Sequence, residues 1–136
     1  GVANIDEYNR NAEKKLYRIV FACDEIAEVL DKTGLSKQQK DEILKIESEL
    51  SIIARQGRAF GIHLVLATQR PDAAILNGQI RNNIDTRICG RADNVLSQII
   101  LDNTDASDKI AKSSQGRFLT NSGKIFQAYW FDENIL

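Results

Sequence analysis

Hydrophobic residues in this chain gather in short blocks, separated by polar stretches with helical periodicity. Arg18-Ile19-Val20-Phe21-Ala22-Cys23 is an apolar run of β-forming residues without polar alternation, the pattern of a parallel-sheet strand covered on both faces. Ile62-His63-Leu64-Val65-Leu66-Ala67-Thr68 repeats it and is stopped by Gln69-Arg70-Pro71, because proline lacks a ladder donor and restricts the residue before it. Between the two runs, Ile26 to Leu30 predicts a brief helical turn that Lys32-Thr33-Gly34 breaks. A long helix from Ser36 or Lys37 to Ala59 follows, with Ile43, Ile46, Leu50 and Ile53 as its expected buried stripe and Gly57 or Gly61 as its end.

Ahead of the first strand, Asn4 to Lys15 is polar with Ile5, Tyr8 and Ala12 at helical spacing, and predicts a short amphipathic helix. Beyond the second, a helical stretch around Asn77 to Asn83 leads to a third strand at Thr86-Arg87-Ile88-Cys89. Asp93 reads as the N-cap of a helix through Leu101, and another helix runs from Thr104 to Lys112. Arg117 to Thr120 and Lys124 to Phe131 flank Asn121-Ser122-Gly123, whose residues tolerate positive φ, so the chain is expected to close on a β-hairpin. Strands alternating with helices imply right-handed βαβ crossovers in an α/β fold with a parallel sheet. Ligands of such folds bind beyond the carboxyl ends of the strands.

Composition narrows the function classes. The 136 residues, 43% hydrophobic and 27% charged, suit one ordinary globular unit. A formal charge of −1 and a pI near 5.9 give no overall footprint of a dedicated nucleic-acid-binding domain, so any DNA contact must come from local patches. Cys23 and Cys89 lie in apolar runs with no Cys-x-x-Cys or Cys/His cluster, which points to buried thiols of an intracellular chain. No apolar stretch is long enough to span a bilayer, and no charged-then-apolar leader opens the sequence. Methionine is absent and the chain begins Gly1-Val2-Ala3, so it is expected to be a piece of a longer protein.

The polar residues at the strand exits carry the candidate chemistry. Asp24 and Glu25 place two adjacent carboxylates at the carboxyl edge of the first buried strand, the Walker B pattern of P-loop ATPases. There the first carboxylate holds Mg²⁺ through water and the second orients the attacking water. An acidic pair after a strand also suits a plain helix start, with Asp24 as cap and Glu25 complementing the dipole. Thr68 and Gln69, at the end of the neighbouring strand, are placed to sense a γ-phosphate or position the water, and equally suit an ordinary loop. Arg58, near the end of the long helix, is a candidate arginine finger reaching a neighbouring subunit, against the alternative of a solvated helix-terminal arginine. His63 has no acidic or thiol partner nearby in sequence and reads as structural.

Three segments together, Ile19-Val20-Phe21-Ala22-Cys23-Asp24-Glu25, Gly57-Arg58-Ala59-Phe60-Gly61 running on to Pro71, and Ile80-Arg81-Asn82-Asn83-Ile84-Asp85-Thr86-Arg87-Ile88, closely resemble the FtsK/SpoIIIE family of ring-forming DNA translocases. Asn9 after Tyr8 and the closing Gly116-Arg117-Phe118-Leu119 extend the resemblance over nearly the whole chain. It implies that Asp24 is the metal-associated aspartate, Glu25 the catalytic glutamate, Gln69 the polar sensor and Arg58 the arginine acting in trans. It further implies a RecA-like P-loop core, ATP and Mg²⁺ as cofactors, a hexameric ring with ATP between subunits, and double-stranded DNA in the pore. The parent is expected in the cytoplasm at the inner face of the cell membrane, tethered by segments outside this chain. Spacing after Arg70-Pro71 and around Asn82-Asn83-Ile84 resembles coupling proteins of Gram-positive conjugative elements.

No Gly-x-x-x-x-Gly-Lys-Ser/Thr occurs in the sequence, so the backbone cradle and lysine for the phosphates are missing. Residues 1–136 are therefore expected to form a single partial domain, the C-terminal part of the motor without its Walker A half, and to be inactive alone. Two rivals stand beside a DNA pump for conjugation or chromosome segregation: a protein-pumping ATPase of type VII secretion, and a catalytically silent ATPase-like assembly domain. Arg81, Arg87 and Arg91 are candidates for DNA or nucleotide contact, or for ordinary ion pairing.

Overall fold

The computed structural model describes residues 1–69, 78–129 and 132. The chain divides into two compact units, Gly1–Ile84 and Asp85–Leu136.

In the first unit, β1 (Ile19–Cys23) and β2 (Ile62–Leu66) pair in parallel, in register from Ile19 opposite Ile62 to Cys23 opposite Leu66. The crossover between them is α2 (Ile26–Leu30) followed by α3 (Lys37–Phe60); α1 (Ile5–Asn11) precedes the pair and α4 (Gly78–Asn82) follows it. Local chemistry sets these boundaries. Ser36 and Gln39 form a reciprocal capping box that starts α3. Gly61 stops it at φ +77°, a left-handed conformation open to glycine at little cost. Gly57, the other expected stop, stays inside the helix.

Helix α1 begins at Asn4, whose side chain accepts from the Glu7 N–H at 2.9 Å. It ends four residues earlier than its polar periodicity suggests. The Asn9 amide exchanges two hydrogen bonds with the Leu16 main chain, at 2.8 and 2.9 Å, and so imitates a strand partner for the segment entering β1. Arg18 is tied back to Asp6 at 2.6 Å.

Ile26, Leu30, Leu50 and Ile80 form the core of this unit, with Cys23, Leu64 and Leu66 packed on it from one face of the sheet. Burying side chains of this size is worth about 1.5–3 kcal/mol each. Because side chains alternate along a strand, the opposite face belongs to Val20, Ala22, His63 and Val65. Among the described residues that face is open, with Val20 64% and Val65 55% exposed, so the expected cover lies on one side only.

The stripe of α3 also departs from expectation. Ile46 is 37% exposed, whereas its neighbour Glu47 is 6% exposed and accepts from Lys32 Nζ at 2.5 Å. A buried carboxylate is tolerated there because a cation from the loop after α2 reaches it.

The second unit is an antiparallel sheet, β3 (Ile88–Cys89), β4 (Arg117–Thr120) and β5 (Ile125–Gln127), with α5 (Asn94–Leu101) and α6 (Asp105–Lys109) between its first two strands. The hairpin forms as its turn residues predict, with Gly123 at φ +83°; Trp130 and Phe131, the end of the expected second strand, lie outside the described residues. The third predicted strand is only two residues long and runs antiparallel to β4, so it does not extend the parallel pair. Its first half is held by Asn121, whose side chain accepts from the Arg87 N–H and donates to the Asp85 carbonyl, both at 3.1 Å, and whose main-chain N–H donates to the Arg87 carbonyl at 2.9 Å.

Asp93 caps α5 as predicted, accepting from the Leu96 N–H at 2.8 Å. Helix α6 stops short of Lys112, and the Arg91 guanidinium donates to the carbonyls of Ser107 and Ile110 at its end. Cys89, Leu101, Ala106, Ile110 and Leu119 make the core. Ser97, fully buried, ties the two helices: its hydroxyl donates to the Asn103 carbonyl at 2.7 Å and accepts from the Ala106 N–H at 3.1 Å.

Candidate functional site

Strands β1 and β2 end side by side, and their exits bring four of the predicted residues together. The ladder continues one step past Cys23, where the Ala67 N–H donates to the Cys23 carbonyl at 2.8 Å and the Ile26 N–H to the Ala67 carbonyl at 2.9 Å. Asp24 therefore sits at the lip of β1, with Thr68 and Gln69 just past the end of β2.

Asp24 is exposed, and its carboxylate makes no hydrogen bond or ion pair among the described residues. An open carboxylate at the carboxyl edge of a parallel pair suits a hydrated divalent cation, which carboxylates contact through water.

Glu25 is half-buried and fully engaged. One carboxylate oxygen accepts from the Ala27 N–H at 3.1 Å and the other from the Gln69 N–H at 2.8 Å. The first of these bonds makes Glu25, and not Asp24, the N-cap of α2. The cap reading and the catalytic reading thus fall on one side chain. Cap geometry fixes the start of α2, whose Ile26, Ala27 and Leu30 are buried, and through it the bearing of the carboxylate.

Arg58 is not part of this cluster. It lies exposed in the last turn of α3, where its carbonyl accepts from the Gly61 N–H at 3.2 Å, at the amino end of β2. The length of a strand separates it from Glu25. His63 falls on the open face of the sheet, away from both. A cavity of about 490 Å³ between α3 and α4, lined by residues that include Leu44, Ser48, Gln79 and Asn82, contains none of the five.

Two of the other candidate arginines have structural partners. Arg87 donates to Asp102 at 2.6 Å and Arg91 caps α6; Arg81 is half-buried in α4. Both cysteines are free thiols; Cys89 is buried, and burial pushes its thiol up from the ordinary 9.0. The sequence offered no sign of the two main-chain donors to Glu25, since an N–H is common to nearly every residue.

No protein-family model matches the chain. It is 34% identical over 127 residues to DNA translocase FtsK of Chlorobaculum tepidum, covering 92% of this chain and 14% of that protein. With DNA translocase FtsK of Haemophilus influenzae it shares 33% identity over 129 residues, 92% of this chain and 23% of that protein. The chain thus spans less than a quarter of these curated relatives. Among solved structures, the monomer form of the pCW3 conjugation coupling protein TcpA with ATPγS superposes with a TM-score of 0.88 at 42% identity, covering 97% of this chain and 38% of that one. The cytoplasmic domain of the Thermomonospora curvata type VII secretion ATPase EccC gives a TM-score of 0.72 at 22% identity, over 98% of this chain and 16% of that one, a likeness of fold.

The chain belongs to the FtsK/SpoIIIE-type ATPase family, and its fold is the α/β, parallel-sheet RecA-like core of that family's motors with a terminal β-hairpin.

Proposed function

We propose that the chain is the C-terminal part of the motor of an ATP-driven translocase of double-stranded DNA, serving conjugative transfer or chromosome segregation. The observation that carries this reading is the acidic pair at the carboxyl end of β1, with Glu25 hydrogen-bonded to Gln69 at the exit of β2. The names of the relatives, DNA translocases and a conjugation coupling protein, favour DNA as the cargo.

In this reading Glu25 orients the water that attacks the γ-phosphate, and Gln69 with Thr68 senses that phosphate. Asp24 would hold Mg²⁺, which would supply charge neutralisation on the phosphates. Arg58 serves the site of the next subunit in a ring. The phosphate-binding loop comes from a part of the parent outside these 136 residues, so the chain alone hydrolyses no ATP. Among the described residues no helix is long and apolar enough to cross a membrane, and attachment to the membrane falls to other segments.

The test is ATP hydrolysis by the full-length parent, with and without duplex DNA. Stimulation by DNA in the wild type, with Glu25→Gln and Arg58→Ala both folded and inactive, is the expected result. Hydrolysis indifferent to DNA would favour a protein-pumping role, the reading in keeping with the fold shared with EccC. An inactive wild type would favour a silent assembly domain.

A further inference from the structure

The carboxylate proposed to orient water is already occupied by the protein. Glu25 presents its two oxygens to two main-chain donors, the Ala27 and Gln69 N–H groups. Hydrogen bonds to an ionised acceptor are the strong kind, and a water that must be turned toward a phosphate competes directly with them.

The two donors are not equally fixed. Ala27 belongs to α2, and it is buried together with Ile26 and Leu30. Gln69 is exposed and lies beyond the last main-chain bonds that tie β2 to β1, those of Ala67. The Gln69 bond is the one that can open without disturbing a core.

We propose that the Gln69 main-chain N–H holds Glu25 in a resting position, and that withdrawal of this N–H arms the carboxylate. The inference rests on the reading of Glu25 as the water-orienting group. It makes Gln69 a positioning residue as well as a sensor, with the two roles mechanically joined. When its side-chain amide turns to a γ-phosphate, its own backbone is drawn from Glu25, so sensing and release are one motion of one residue. Hydrolysis is thereby suppressed until that amide engages the phosphate, a step that duplex DNA promotes. The Ala27 bond persists throughout and keeps the carboxylate facing the site.

Two measurements on the full-length protein test this. The first is amide hydrogen exchange. The Gln69 amide is expected to be protected without nucleotide, despite the exposure of the residue, and to lose protection with ATPγS and duplex DNA, while the Ala27 amide stays protected. Equal protection of Gln69 in both states overturns the proposal, and this readout needs no turnover.

The second replaces Gln69 by its α-hydroxy acid counterpart, which exchanges the main-chain N–H for an ester oxygen and retains the side chain. DNA-independent hydrolysis should rise several-fold and stimulation by DNA should shrink. Unchanged rates overturn the proposal. So does loss of activity, because the N–H would then belong to the working position of Glu25. A wild type that hydrolyses no ATP would count against the motor reading, while the exchange measurement would still decide on the latch.

Discussion

If the parent is the ring motor proposed above, mixing its Glu25→Gln and Arg58→Ala variants is expected to restore ATP hydrolysis that neither shows alone. The reason is a length. Arg58 sits where α3 hands over to the amino end of β2, and Glu25 sits at the carboxyl end of β1, bonded to Gln69. From Ile62 to Gln69 the chain advances seven residues at about 3.3 Å each, roughly 20 Å in all. That is well beyond the reach of an arginine side chain, so the two groups of one subunit cannot serve the same phosphate.

In a ring assembled from equal amounts of both variants, an interface is whole when its glutamate comes from an Arg58→Ala subunit and its arginine from a Glu25→Gln subunit. About one interface in four meets that condition in a randomly mixed ring. Independently firing interfaces would then return about a quarter of wild-type turnover, against a background lowered by a factor on the order of 10³ or more for loss of such an arginine. A coupled-enzyme assay with duplex DNA, run over a series of mixing ratios, should give a maximum at equal amounts. No recovery at any ratio, with mixed rings verified by native mass spectrometry, would refute the assignment of Arg58.

Three further outcomes concern the fold. Ser97→Ala removes the acceptor for the Ala106 N–H and the donor to the Asn103 carbonyl inside a fully buried site. It should cost about 2–3 kcal/mol in a urea titration, and a cost below about 0.5 kcal/mol would mean that the hydroxyl is dispensable. Lys32→Met leaves the buried Glu47 carboxylate without its cation and should cost about 2 kcal/mol, most of it recovered by adding Glu47→Leu; strictly additive losses would show the pair uncoupled. Burial raises the Cys89 thiol above 9.0 in the folded state, so above that pH the unfolded chain sheds a proton that the folded chain keeps. Stability is then present below the ordinary thiol value and declines as pH rises through it. Cys89→Ala should flatten that alkaline decline, and an unchanged slope would assign it to other groups.

Elements whose signals are local could be read from the sequence. Helix α2 over Ile26–Leu30, the Asp93 cap and the Gly61 stop each depend on a few adjacent residues, and each stands where its residues put it. What escaped depends on partners distant along the chain. Hydropathy assigns Ile46 to the core and Glu47 to solvent, yet Lys32, fifteen residues away, reverses the two. The β-forming run at Thr86–Cys89 carries no information on which strand it will meet. It joins β4, and the Asn121 side chain stands in for one of the two ladder bonds at Arg87. The place of the acidic pair was legible, since Asp24 and Glu25 follow an apolar run and stand at the exit of β1. The bond from Glu25 to the Gln69 main chain was not, because its donor lies 44 residues away and belongs to the backbone.

Asn121 shows how a single amide becomes a point of chemical ageing. It accepts from the Arg87 N–H, donates to the Asp85 carbonyl, and is followed by Ser122, a small residue that adds little steric hindrance to attack by its own backbone nitrogen whenever those bonds open. Deamidation would keep the acceptor and lose the donor, setting a negative charge against the carbonyl that the amide had satisfied. Stored protein should therefore accumulate a form in which the segment entering β3 is loosened at Asp85, while the main-chain bond from Asn121 to the Arg87 carbonyl and the hairpin itself remain. Peptide mapping for aspartate and isoaspartate at this position, alongside amide exchange at Arg87, would show whether chemical damage and loosening advance together.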